Sequence, residues 1–426
     1  MSAVAVIGAG YVGLTTATCL AHLGHTVICA DIDETKVDGL NNGQVPIHEA
    51  RLPELLQDGL SQQTLKFVLG ARQAVTDSEF VFLCLPTPQG DDGRADISAI
   101  SEVIEEVRDL LPAESIIVNK STTPVGTNAA IQSLMQRDDI AVVSNPEFLR
   151  EGVAVTDFLQ PDRIVIGATD PEAAQKVIGL YNAIDAPIIT VDPASAETIK
   201  YATNSFLATK VSFVNALAAV CEAVGADIES VTRGLGADQR IGSRFLQPGP
   251  GWGGSCFPKD MQALVRIADD AGYQFDLLRA VIEANEQQFM RIVSKAEQLI
   301  DDTLADATIA LLGLTFKAHT DDLRNSPAIE VANLLSAKGA RLSAYDPMVK
   351  SDSALPEGIE LAQNLEQAVT KSDVAVILTE WPEFTRANWG ELRDSMNAPR
   401  VLDARNALDR HAMLDLGFQY DDLGRI

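Results

Sequence analysis

Val4-Ala-Val-Ile7 runs straight into Gly8-Ala-Gly10-Tyr-Val-Gly13, a helical pattern then reaches Leu23, and His25-Thr-Val-Ile-Cys-Ala30 ends at Asp31. This is a β-branched strand, a G-x-G-x-x-G turn, a helix stopped by Gly24, a second strand and an acid at its end. Alone the glycine pattern is weak; in this full context it is the fingerprint of a dinucleotide site. The first glycine makes the turn, the second lets a pyrophosphate approach, and the third packs helix on strand. The helix N-terminus faces the phosphates. Asp31 is placed to accept hydrogen bonds from ribose hydroxyls and to repel a 2′-phosphate, and no Arg follows it immediately, so NAD is expected rather than NADP. The competing reading, a glycine-rich turn without a ligand, is disfavoured by this full context.

Further along, Phe80-Val-Phe-Leu-Cys-Leu85 ends at Pro86-Thr87-Pro88, Ser115-Ile-Ile-Val118 ends at Asn119-Lys120-Ser121-Thr122-Thr123, and Ala141-Val-Val143 ends at Ser144-Asn-Pro-Glu147. Arg163–Ile166 and Pro187–Val191 add two strands. Continuous apolar strands alternating with helices predict an α/β fold with a parallel sheet covered on both faces. Ligands of such sheets bind beyond the carboxyl ends of the strands, which puts Thr87, Thr122 and Glu147 on one crevice. Either threonine, taken alone, is equally a helix N-cap.

A second stretch carries chemistry: Pro250-Gly-Trp-Gly-Gly-Ser-Cys256-Phe-Pro-Lys-Asp260. Glycines allow a ligand to lie against the main chain. Pro258 suits the first turn of a helix, which places Cys256 at the helix entry, where the dipole favours a thiolate. Lys259 and Asp260 lie within reach of that position. An isolated cysteine is more often a buried structural residue; the glycines, the helix start and the charged pair favour a reactive one.

From Ser195 to Val224, Ile199, Ala202, Phe206, Phe213, Leu217, Val220 and Val224 recur at helical spacing. A helix of about 30 residues spans roughly 45 Å, long enough to bridge domains or form an interface. Lys200 and Asn204 share one face of it and together suit a developing oxyanion, although a solvated lysine and a capping asparagine are the ordinary reading. Beyond residue 300 the chain repeats itself. Thr76-Asp-Ser-Glu-Phe-Val-Phe-Leu-Cys-Leu-Pro resembles Thr370-Lys-Ser-Asp-Val-Ala-Val-Ile-Leu-Thr-Glu in register. The C-terminal third is expected to be a second nucleotide-binding unit whose first turn lacks the glycine fingerprint, with Lys317, Arg324 and Arg240 near its phosphates.

Across 426 residues the formal net charge is −27, which argues against nucleic acid and anionic membranes as partners. No uninterrupted run of about 18 apolar residues occurs, so no membrane span is expected. Cys19, Cys29, Cys84, Cys221 and Cys256 include no C-x-x-C pair and suit a reducing cytoplasm. No metal-ligand pattern stands out.

Taken together, Gly8–Gly13, Lys120-Ser-Thr122, Ser144-Asn-Pro-Glu-Phe-Leu-Arg-Glu-Gly152, Lys200-Tyr-Ala-Thr-Asn204, Gly253-Gly-Ser-Cys-Phe-Pro-Lys-Asp260 and Gly313-Leu-Thr-Phe-Lys317 resemble the UDP-glucose/GDP-mannose dehydrogenase family over nearly the whole chain. The resemblance implies two Rossmann-like doubly wound parallel-sheet domains joined by a central helical region: an NAD domain at 1–194, a helical dimerisation region with the cysteine loop at 195–300, and a UDP-sugar domain at 301–426. It implies a homodimer and two NAD-dependent oxidations of a nucleotide sugar at C6, without metal. Phe257 and the Gln160–Ile166 segment look more like the UDP-glucose branch than the GDP-mannose branch.

By the same resemblance Cys256 is the nucleophile, Lys200, Asn204 and Asp260 surround the reacting carbon, and Glu147 and Thr122 handle water and protons. The cofactor set is Gly8, Gly10, Tyr11, Val12, Gly13, Asp31, Lys36, Pro86, Thr87, Thr122, Glu151, Lys259 and Arg324. The substrate set is Glu147, Phe148, Leu149, Arg150, Glu151, Lys200, Asn204, Phe245, Leu246, Gly251, Trp252, Gly253, Cys256, Phe316 and Lys317, with Arg240 reaching from a neighbouring subunit. Trp252 stands where Tyr or Phe is usual, which sets its bulk beside the sugar, and Thr123 stands where Val or Leu is common. A catalytically dead NAD-binding relative and a thiol hydrolase are the rival classes. The joint presence of Cys256, Lys200, Asn204 and Asp260 disfavours the first, and the complete dinucleotide fingerprint disfavours the second.

Overall fold

In the computed structural model, which describes residues 1–90, 93–301, 303–351 and 355–426, the apolar runs form two sheets. The first contains β1 (Ala3–Ile7), β2 (Thr26–Asp31), β3 (Leu65–Leu69), β4 (Phe80–Leu83), β5 (Ile116–Asn119), β6 (Ala141–Ser144), β7 (Ile164–Gly167) and β8 (Ile188–Val191). The second contains β9 (Thr308–Leu312), β10 (Arg341–Tyr345), β11 (Ile359–Leu361), β12 (Val374–Ile377), β13 (Arg400–Asp403) and β14 (Gln419–Asp422). Their orders are β3-β2-β1-β4-β5-β6-β7-β8 and β11-β10-β9-β12-β13-β14. The second sheet thus repeats the order of the first six strands of the first, the doubly wound pattern with its switch point between the first and fourth strands.

Both sheets are buried by the alternation of their side chains. Val4, Val6, Phe80 and Phe82 pack on one face of the first sheet, while Ala5, Ile7, Val81 and Leu83 pack on the other. Ile309 and Leu311 divide from Ala310 and Leu312 in the same way. One pairing departs from the all-parallel expectation: β6 meets β7 antiparallel, through Ser144 and Gly167. The chain leaves β6 at its carboxyl end and, after only a six-residue helix (Ala154–Leu159), re-enters the sheet at that same end. β7 and β8 are again parallel.

The chain divides into two compact units, Met1–Thr203 with Gln262–Gly272, and Asn204–Met261 with Tyr273–Ile426. The long helix runs Pro193–Val224, 32 residues, and a second helix, Phe257–Asp270, starts directly after Cys256. Although no uninterrupted apolar run exists, an 18-residue window of Pro193–Val224 reaches a mean hydropathy of 1.5, long and apolar enough to cross a membrane by length and composition. Its apolar residues occupy more than one face, while Glu197, Lys200, Asn204, Ser205, Ser212 and Asn215 on the same helix are buried polar residues.

Candidate active site

The glycine turn between β1 and the Tyr11–His22 helix has the shape its sequence requires. Gly8 has φ +98°, and a Cβ there would lie 2.5 Å from the Cys84 carbonyl oxygen. A Cβ on Gly13 would lie 1.8 Å from the Gly8 carbonyl oxygen, whereas one on Gly10 meets nothing within 4 Å. Gly8 and Gly13 therefore make the turn, and Gly10 leaves room for a ligand. No side chain caps the helix that follows, and no acid sits in its first turn, so its N-terminal N–H groups suit an anion. Asp31 accepts hydrogen bonds from the N–H groups of Ala9 (2.8 Å) and Asp33 (3.0 Å) and pairs with Lys36 at 3.1 Å. Burial raises the Asp31 carboxyl, but these donors outweigh it and hold the group below its ordinary value. The turn, the open helix end and the ionised acid fit a dinucleotide. The Tyr11 hydroxyl accepts the Gly152 N–H at 2.6 Å and donates to the buried Glu49 carboxylate, which ties the glycine turn to the Glu147–Gly152 segment.

At the carboxyl ends of β5 and β6 the first unit holds a buried charge cluster. Lys200 Nζ lies 2.7 Å from Glu147 Oε1, and the Leu149 N–H donates to Glu147 Oε2 at 2.5 Å. Burial alone would raise the Glu147 carboxyl; Lys200, the Leu149 N–H and Lys120 reverse this and hold it below the usual carboxylate range. Two cations lie near the Phe148 ring, Arg163 at 3.6 Å from its centroid and Lys200 at 5.5 Å. Thr87 Oγ1 donates to the Thr122 carbonyl at 2.8 Å, so the crevice threonines meet each other rather than capping helices. A small cavity is bordered by Asn119, Thr122, Glu197 and Lys200, among others. Arg150 turns to Asp157, at 2.6 Å.

Sequence reasoning gave Lys120 no role. It is buried, donates to Asn145 Oδ1 at 3.1 Å, and has no carboxylate within 4.0 Å among the described residues. The same oxygen accepts the Tyr181 hydroxyl at 2.6 Å. Burial lowers the Lys120 ammonium to about 8. The signal available beforehand was a lysine just past the end of a fully apolar strand.

In the second unit the cysteine loop is clamped from two helices. Ser212 of the long helix accepts the Trp252 indole N–H at 2.9 Å, and Asn215 accepts the Gly249 N–H at 2.8 Å. Asn285 pairs with both backbone groups of Trp252, at 2.8 and 2.9 Å, and Gln288 donates to the Gly249 carbonyl. The Trp252 indole is therefore buried, with its polar atom satisfied. A Cβ on Gly253 would lie 2.0 Å from the Asn325 carbonyl oxygen, so only glycine permits this close passage. The Asp260 N–H donates to the Cys256 carbonyl at 3.0 Å, the first bond of the Phe257–Asp270 helix, which puts Cys256 at the predicted helix entry. Buried Asp260 accepts from Asn204 Nδ2 at 2.6 Å and from Lys259 Nζ at 2.7 Å.

Beyond the second sheet, Lys317 Nζ lies 5.3 Å from the Phe316 ring centroid. Arg405, missed from sequence, follows the end of β13, donates to the Phe316 carbonyl at 3.1 Å and lies against Gly249. Its position just past a strand end was the available clue. Phe245 is held at φ +63° beside buried Leu246. Arg240 pairs with Asp238 and Arg324 with Asp322, and both guanidinium groups are largely exposed. Asp346, the counterpart of Asp31, is buried. It accepts the N–H groups of Leu314 and Thr315 and the Trp381 indole N–H. This turn is closed on its own acid, consistent with the missing glycine fingerprint.

A dinucleotide turn on one doubly wound sheet, a second sheet of the same order, and a helix-entry cysteine on a glycine loop define a dehydrogenase of the two-sheet nucleotide-sugar class. The chain belongs to the UDP-glucose/GDP-mannose dehydrogenase family: that family's NAD binding domain matches residues 2–185, its central domain 194–287 and its UDP binding domain 310–410. It is 41% identical to UDP-glucose 6-dehydrogenase TuaD of Bacillus subtilis, over 100% of this chain and 94% of that protein. The UDP-glucose dehydrogenase of Pyrobaculum islandicum superposes with a TM-score of 0.92 at 34% identity, covering 100% of this chain and 98% of that one. The UDP-D-ManNAc dehydrogenase of Pyrococcus horikoshii gives 0.89 at 27% identity, covering 99% of each.

Proposed function

We propose that the chain oxidises UDP-glucose to UDP-glucuronate with NAD, through a covalent intermediate on Cys256. The observation that carries this reading is the set of buried charged groups on the cysteine and glutamate segments. Asp260 is held by Asn204 and Lys259 one turn beyond Cys256, and Glu147 by Lys200. Bound NAD, held by the glycine turn and Asp31, supplies the hydride acceptor for each of the two oxidations.

The first oxidation leaves C6 as an aldehyde, its hydroxyl proton passing to a base. The Cys256 thiolate adds to that carbon, forming a carbon–sulfur bond and an alkoxide. Lys200 and Asn204, one turn apart on the Pro193–Val224 helix, are the donors for that oxygen. Removal of the second hydride leaves a thioester. Water, deprotonated by Asp260 or Glu147, adds to the carbonyl; the carbon–sulfur bond breaks and Cys256 departs as thiolate. Hydrolysis makes the sequence irreversible. NADH absorbance with UDP-glucose, UDP-galactose, UDP-N-acetylglucosamine and GDP-mannose tests the reading. The expected result is two NADH per UDP-glucose and little turnover of the others, and preference for GDP-mannose overturns the substrate assignment.

Phe206, Phe213 and Val220, spaced by seven on the long helix, are 65%, 55% and 54% exposed. An apolar stripe at heptad spacing suits a second copy of the same helix, and we take the chain to be a homodimer in which Arg240 serves the neighbouring subunit. Light scattering is expected to give twice the chain mass, with Phe213→Asp shifting it to the monomer. A monomeric wild type refutes this. The buried thiols Cys19, Cys29, Cys84 and Cys221 favour a reducing, cytoplasmic location.

A further inference from the structure

The Thr127–Met135 helix begins at Gly126, which has φ +98° and no side chain to cap the helix. Its first N–H groups are instead satisfied from another element. Glu197, near the start of the long helix, accepts the Gly126 N–H at 2.6 Å and the Asn128 N–H at 2.8 Å. Glu197 is itself buried, and burial raises its carboxyl above the ordinary value despite these two bonds. A buried carboxylate is costly unless fully hydrogen-bonded, and a serine or aspartate local to the turn would have capped the helix without it. The carboxylate has a second consequence. It fastens the turn that follows Thr122 to a point one helical turn from Lys200. Thr122, Glu197 and Lys200 border the same small cavity, along with Asn119, whose Oδ1 has no hydrogen-bond partner among the described residues.

We propose that Glu197 is a positioning residue: its bonds to Gly126 and Asn128 lock the Thr122 turn to the long helix and hold Thr122 and Lys200 at a fixed separation across the cavity. Glu197 does not touch the reacting atoms and acts through those two residues. This rests on the roles given above to Thr122 and Lys200. Misplacement of such groups by a fraction of an ångström lowers the rate.

The test compares Glu197→Ala and Glu197→Gln with wild type and with Lys200→Ala, each as the full chain and normalised to folded protein by circular dichroism. For Glu197→Ala the expected kcat per folded enzyme falls by about 10- to 100-fold, a larger factor than any rise in the KM values for UDP-glucose and NAD. Glu197→Gln, which keeps one acceptor oxygen, is expected to lie between it and wild type. If Glu197→Ala does not fold, Glu197→Gln alone decides, since a cap with no positioning role leaves its kcat at the wild-type value. Wild-type kcat in either folded variant overturns the proposal. Wild-type activity in Lys200→Ala instead overturns the reading of the site on which it rests.

Discussion

Asn204 Nδ2 lies 2.6 Å from Asp260 Oδ2, and both side chains are buried. The bond ties the long helix to the helix that opens at Cys256, and with Lys259 on the other oxygen it holds Asp260 as a doubly bonded carboxylate. In the proposed mechanism Asp260 is one of two carboxylates, with Glu147, that take the proton from water during thioester hydrolysis, and the variant below tests its share. Asp260→Asn keeps the size and removes the charge. The expected outcome is a fall in kcat of about 10²- to 10⁴-fold, the usual worth of a general base, with the release of product slowed more than the first appearance of NADH. Stopped-flow absorbance checks this, and a slowed first NADH would assign Asp260 to the first oxidation instead.

Removing the carboxylate of the Glu147–Lys200 pair strands a buried ammonium. Glu147→Gln is expected to destabilise the fold by about 3–5 kcal/mol at neutral pH. The folded-state carboxyl lies below its ordinary 4.5. Its contribution is therefore present above pH 4.5 and lost as pH falls through the folded value. The stability gap between wild type and Glu147→Gln, from urea denaturation at several pH values, should close on acidification. The double variant Glu147→Gln/Lys200→Met should recover part of the loss at pH 7, because no lone charge remains.

Lys120 behaves in the opposite sense. Its ammonium is depressed from 10.5 to about 8 by burial. The unfolded chain binds the proton more tightly, so the penalty is fully present below pH 8 and relieved as pH rises to 10.5. The shift corresponds to a penalty on the order of 3 kcal/mol. Against Lys120→Met, which carries no charge, wild type should therefore gain stability between pH 8 and pH 10.5. A pH-independent gap would mean that Lys120 is already neutral or solvated at pH 7.

The central strands of both sheets were legible because runs such as Val4–Ile7, Phe80–Leu83 and Thr308–Leu312 are short and apolar, whereas the outer strands Leu65–Leu69, Ile359–Leu361 and Gln419–Asp422 carry charged residues and were not read. The antiparallel β6–β7 pair was not, since strand direction depends on which end of the sheet the connection returns to, and Pro146–Arg163 carries no local mark of that. The placement of Cys256 at a helix entry, of Asp260 one turn on and of Lys200 on the long helix was readable from motif and helical spacing, and that of Glu147 from the apolar strand before it. Their partners were harder. Ser212, Asn285 and Glu197 act across about 40, 33 and 70 residues of chain, and no periodicity encodes such contacts. The bond from the Trp252 indole N–H to Ser212 is one of them, and nothing in the sequence around Trp252 points to it.

The covalent role of Cys256 is the claim on which the rest depends, and Cys256→Ser isolates it. An oxygen ester is hydrolysed more slowly than a thioester in a site built for sulfur, so the acylated enzyme should persist. Intact-protein mass spectrometry after mixing Cys256→Ser with UDP-glucose and NAD should show the chain carrying one added UDP-glucuronyl group. An unmodified mass, from a variant that yields two NADH per UDP-glucose at the wild-type rate, would contradict the account.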